Sequence, residues 1–154
     1  MIYADPSFLT SLYGYDGNTH TAQLTYNSDP RRPLFLTPWQ RFEMRNALRL
    51  AAHKLTRAGQ PVPFQIGNVL KDVDHDLSDG ILRHQETDWR ETLRLSEELS
   101  ESHTKVTGAG AVDVWHVAAA ILLRADTFWT FDDSQYALAK TVKRFRHIPQ
   151  LPTS

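Results

Sequence analysis

Short apolar runs alternate with helix-length segments along this chain, and four acidic residues stand at the junctions. The local texts are IYADPSFLTSLY, LTPWQRFEMRNALRL, AVDVWHVAAAILL and FWTFDDSQYALAK, and the acids are Asp5, Glu43, Asp113 and Asp132. The alternation constrains the fold most tightly. Strands separated by helices pair in parallel, and parallel sheets are covered by helices on both faces. The expected fold class is therefore α/β, three-layered, with a mostly parallel central sheet flanked by helices in a single domain over residues 1–154. Ligand sites in such sheets form beyond the C-terminal ends of strands, which is where Asp5 and Asp132 fall.

The elements follow from local signals. IYA reads as a short buried strand, and Asp5-Pro6 opens a helix through Tyr13, with proline where a first turn accepts it. Gly14 and Gly17 end that helix, and a second runs from about Thr19 to Tyr26. LFL before Thr37 is a strand. Thr37 and Gln40 then have the spacing of a capping box, followed by an apolar stripe of Met44, Ala47, Leu48, Ala51 and Leu55. A helix from about Phe64 to Leu77, a brief strand at ILRH and a charged amphipathic helix from Thr87 to Ser102 come next. Asp113 to Leu123 is apolar nearly all round, which predicts a buried helix. TFWTF is a strand, Asp132-Asp133-Ser134-Gln135 caps a helix to about Lys140, and a last strand is expected near Phe145 to Ile148.

Composition excludes some chemistry. The chain has no cysteine, so disulfides and thiolate zinc sites are ruled out. Its seven histidines show no HxH or HExxH spacing, and His116 falls inside the buried helix, as a core histidine would. The net charge of −1 neither announces nor excludes a nucleic-acid partner. The longest helical apolar run, Val117 to Leu123, is too short to span a membrane, and the N-terminus has no signal-peptide pattern, so cytoplasmic residence without membrane association is expected.

Taken singly, Asp5, Asp113 and Asp132 stand where helix caps stand, and Glu43 reads as the flank of a helix. Taken together at one sheet edge, they would repel. At ~5 Å and an effective dielectric of ~20, each ionised pair costs roughly 3 kcal/mol. A hard divalent cation, which prefers oxygen ligands, removes that repulsion and can activate water against a phosphodiester.

The blocks Asp5-Pro6-Ser7, Phe42 to Leu48, Asp113 to Ala120 and Thr130-Phe131-Asp132, in this order and spacing, resemble those of PIN-domain nucleases. Within that family the chain is similar, over nearly its whole length, to the VapC-like ribonuclease toxins of type II toxin–antitoxin systems. The resemblance implies a sheet of order 3-2-1-4-5 and a Mg²⁺- or Mn²⁺-dependent endoribonuclease cleaving RNA phosphodiester bonds. It makes Asp5, Glu43, Asp113 and Asp132 the catalytic and metal-binding residues, with the Ser7 and Thr130 hydroxyls orienting them. It further implies a homodimer and a cognate small antitoxin. The aromatic first helix with Phe8, Leu12 and Tyr13 reads either as part of a dimer face or as core packing, the latter favoured for Phe8. Pro6 departs from the small hydroxyl residue many relatives carry, and GAGAV before Asp113 lacks a basic residue. Asp133 duplicates the fourth acid, and Asp132 is preferred because it follows Thr130-Phe131 directly.

Arg41 and Arg45 flank Glu43 and read either as phosphate contacts or as a solvated helix face. Lys140, Lys143, Arg144, Arg146 and His147 form a basic stretch that could track an RNA backbone or favour a helix C-terminus. Two other functions compete: a catalytically inert PIN-fold module that binds RNA or protein, and a metal phosphohydrolase acting on a small ester. Ser7, standing two residues after Asp5, removes the nucleophile–acid pair of haloacid-dehalogenase-like phosphatases.

Overall fold

The computed structural model describes residues 1–14, 16–31 and 33–145. The chain forms two compact units. Over the described residues, one joins Met1–Asp5 to the chain from 86 to 145, and the other is Pro6–Gln85.

In the first unit, β1 (Ile2–Ala4) pairs in parallel with β4 (Thr127–Trp129), with Ala4 opposite Trp129. All six strand residues are buried, as expected of a parallel pair covered on both sides. Helix α5 (Trp89–Leu99) runs through a π-helical turn at Ser100–Thr104 into the short α6 (Lys105–Thr107). Gly108 then takes a left-handed conformation (φ 70°), and the chain enters α7 (Ala111–Leu122). The uninterrupted buried run Val114 to Ala120 makes α7 the core helix, packed on α5 and on α8 (Asp133–Thr141). Tyr3 stacks on Phe128 at 5.4 Å, and its hydroxyl meets His116 Nδ1 at 2.8 Å. His116 is thus a hydrogen-bonded core residue.

In the second unit, α1 (Pro6–Tyr13) packs on α2 (Thr19–Ser28) and α3 (Pro38–Arg57). Strand β2 (Leu34–Leu36) pairs in parallel with β3 (Leu82–His84), which follows α4 (Ile66–Ser78). Phe8, Leu36, Met44, Leu48, Val73 and Leu82 form the core. The Phe8 ring is fully buried, so it is core rather than partner-facing surface. The box that starts α3 is complete: Gln40 N donates to Thr37 Oγ1 at 3.1 Å, and Thr37 N donates to Gln40 Oε1 at 2.8 Å.

The architecture corrects the expected fold class. Among the described residues, four strands form two separate two-stranded sheets, β1-β4 and β2-β3, rather than one central sheet of order 3-2-1-4-5. Each strand is three residues long, and helices make up most of the rest of the described chain. A three-residue strand buries too little to dictate more than one neighbour, so the alternation of strand and helix is satisfied by two parallel pairs. The strand expected near Phe145 to Ile148 falls largely outside the described residues. No helix among the described residues is long and apolar enough to cross a membrane.

Candidate functional site

Parallel pairing brings the C-terminal ends of β1 and β4 to one edge. Asp5 N extends the ladder to Trp129 O at 3.0 Å, which sets Asp5 beside Thr130. Asp5 is wholly buried, and Thr130 nearly so. A buried carboxylate needs donors, and the Thr130 hydroxyl donates to Asp5 Oδ2 at 2.9 Å. The same hydroxyl accepts the Asp132 N–H at 2.9 Å.

Asp132 is the N-cap of α8, its Oδ1 accepting from Gln135 N at 2.8 Å. Its other oxygen has no donor among the described residues. Gln135 is only 6% exposed and reaches across to α7, where its Nε2 donates to Asp113 Oδ1 at 3.2 Å. Asp113 is the third residue of α7 rather than its cap. Gly110 holds the cap position, and its N–H donates to Asp113 Oδ2 at 2.8 Å. A single hydrogen-bonded series therefore runs Asp5, Thr130, Asp132, Gln135, Asp113. It joins three carboxylates just past the end of β1, at the N-cap of α8 and on α7, all within the first unit.

The remaining sequence-derived residues lie in the second unit. Glu43 and Ser7 are half-buried, on α3 and α1. Arg41 and Arg45, one helical turn apart on α3, both bond Asp74 of α4 through Nη2, at 2.6 and 3.0 Å. They form a surface ion-pair cluster bridging two helices.

Among the described residues, no three histidine, aspartate or glutamate side chains are grouped so as to hold a metal by themselves. Mg²⁺ does not require three. It keeps several waters and is commonly held by one or two carboxylates, with substrate phosphate completing the shell. Oxygen atoms are the only donors in the series that could serve it, and one of them, Gln135 Oε1, is buried without a hydrogen-bond partner among the described residues. The donor set thus fits a hard cation. Gln135 was not singled out as a site residue from sequence, although Asp132-x-x-Gln135 carries the spacing of a capping box.

No protein-family model matches the chain, and no curated protein matches it either. With two small sheets in place of a continuous five-stranded one, this overturns the resemblance to the PIN-domain family. The descriptions as a PIN-type nuclease and as a VapC-like toxin rested on that architecture and fall with it. Two of the short motif blocks behind the resemblance have local structural roles here: Asp132 caps α8, Asp113 accepts from the α7 cap, and the Val114 to Ala120 run is core.

Proposed function

We propose that the first unit binds Mg²⁺ or Mn²⁺ through Asp5, Asp113 and Asp132, no more than two of them directly, and hydrolyses RNA phosphodiester bonds there. The observation that carries this reading is the hydrogen-bonded series linking Asp5 after β1, Asp132 at the start of α8 and Asp113 on α7. When bound, a divalent cation supplies Lewis acidity to a phosphoryl oxygen and acidifies a water. The chain's own residues do the rest. Thr130 fixes the Asp5 carboxylate, and Gln135 fixes that of Asp113. Asp132 Oδ2 is the acceptor for the proton that the attacking water gives up. Exposed Lys140, Lys143 and Arg144 follow along and beyond α8, with Lys140 roughly 12 Å from Asp132 at 1.5 Å per residue. That distance suits phosphates flanking a scissile bond in a single strand. All these donors belong to the first unit, so the reading does not draw on Glu43.

The test is cleavage of a fluorescent RNA of mixed sequence in Mn²⁺ and in EDTA, by wild type and by Asp5→Asn. Cutting by the wild type in Mn²⁺ only, with a folded but inactive Asp5→Asn protein, is the expected result. Undiminished cutting by Asp5→Asn would remove Asp5 from the chemistry. RNA binding without cutting would make the unit a binding module, and turnover of p-nitrophenyl phosphate in place of RNA would make it a small-ester hydrolase.

A further inference from the structure

Helix α3 carries five cations, Arg41, Arg45, Arg49, Lys54 and Arg57, against one carboxylate, Glu43, in a chain whose net charge is −1. The helical period decides where they stand. The helix buries Gln40, Met44 and Leu48. At ~100° per residue, Phe42, Arg49 and His53 fall within about 20° of one line on the opposite side, with Arg45 and Arg57 about 60° to either side of it. Arg41, Arg45, Arg49, His53 and Arg57 are each four residues apart, which makes a stripe roughly 24 Å long at ~1.5 Å per residue. Arg49, His53, Lys54 and Arg57 are exposed and have no acidic partner among the described residues. Arg41 and Arg45 share a single carboxylate, that of Asp74. The stripe thus keeps an excess of positive charge.

Within this charge stands an aromatic ring open to solvent. Phe42 is 57% exposed, and Trp39 braces it with ring centroids 5.6 Å apart. A phenyl ring beside guanidinium groups matches the two parts of a single-stranded nucleic acid, since bases stack on the ring while phosphates meet the cations. An anionic membrane would share the charge but calls for a broad apolar face. Among the described residues of α3, Phe42 and Leu50 are the only exposed large apolar side chains.

We propose that the exposed face of α3 binds single-stranded RNA, with Arg49 and Arg57 on phosphates, Arg41 and Arg45 adding to the field, and Phe42 stacked against a base. The surface lies wholly in the second unit and shares no residue with the carboxylate series. Binding here needs no metal, so it is separable from hydrolysis in the first unit.

The experiment is fluorescence anisotropy with a labelled oligouridine in EDTA, titrated at several salt concentrations, on wild type, Arg49→Ala/Arg57→Ala and Phe42→Ala. All three substituted side chains are exposed, and melting curves check that the variants are folded. Two single-strand phosphate contacts carry about 1.4 of the slope of log affinity against log salt. The double variant should lose that much slope and bind about tenfold or more weakly at low salt. Phe42→Ala should bind about fivefold or more weakly with its slope unchanged, because stacking releases no counterions. Undiminished affinity in either variant would overturn the proposed surface. So would a wild type that ignores oligouridine at low salt, or one that is retained on phosphatidylserine vesicles but not on RNA. Intact, α3-dependent binding by a wild type that cuts no RNA in Mn²⁺ would uphold this surface and sink the hydrolysis reading alone.

Discussion

Replacing Thr130 by valine removes one oxygen and keeps the side-chain shape, so its effect reports on the bonds of that hydroxyl. The hydroxyl donates to the fully buried Asp5 at 2.9 Å and accepts from Asp132 N at 2.9 Å. A hydrogen bond to a charged group contributes ~1.5–3 kcal/mol, and the backbone N–H loses ~0.5–1.5 kcal/mol more. Thr130→Val should therefore cost about 3 kcal/mol. For a chain of this length that is a fall of about 6–12 °C in Tm. Thr130→Ser keeps the oxygen and loses a buried methyl, which costs only about 1 kcal/mol. Urea unfolding followed by tryptophan fluorescence suits the measurement, because Trp89, Trp115 and Trp129 lie in the first unit and only Trp39 in the second. In an Asp5→Asn background the Thr130→Val cost should shrink, since the charge that made the bond strong is gone. A Thr130→Val protein within about 0.5 kcal/mol of wild type, the range of an inconsequential surface change, would refute the view that Thr130 anchors the Asp5 carboxylate.

Two further predictions concern the second unit. Burial, and then the hydrogen bond to Asp76 at 2.5 Å, hold the Tyr13 phenol far above its usual pKa. The stability this confers is complete below the ordinary tyrosine value of ~10 and is lost as pH rises above it. Tyr13→Phe should be less stable than wild type at pH 8 by about 1–2 kcal/mol. That gap should narrow in melts above pH 10, and a constant gap would contradict it. At Gly14, an added Cβ would lie 2.5 Å from the backbone oxygen of Thr10. Gly14→Ala should cost about 1–3 kcal/mol by forcing α1 to shift, read as a lowered urea midpoint.

Local chemistry was readable from the sequence, and long-range pairing was not. IYA, LFL and TFW are strands, and the Thr37–Gln40 box starts its helix, because each depends only on near neighbours. Which strand joins which depends on partners far along the chain. Strands of three residues carry too short a pattern to choose among them. Asp113 was read as a cap because it precedes the apolar run. Gly110 takes that place because its N–H can be satisfied by the Asp113 side chain three residues on. The link between Asp132 and Asp113 was hidden for a similar reason. Gln135 looks like an ordinary capping-box glutamine until Thr130 is seen to have taken the bond it would have made.

The central claim is that the carboxylates joined by Thr130 and Gln135 form a cation site. Melting of the wild-type protein at pH 7.5 with and without millimolar Mn²⁺, beside Asp113→Asn, tests it most directly. A ligand that binds only the native state raises stability with its concentration, by ~2.7 kcal/mol at one hundred times Kd. The wild type should melt several degrees higher in Mn²⁺, and Asp113→Asn should respond much less. If Asp113 and Asp132 serve only as helix caps, Mn²⁺ leaves both melting curves where they are in EDTA, and the cation site is contradicted.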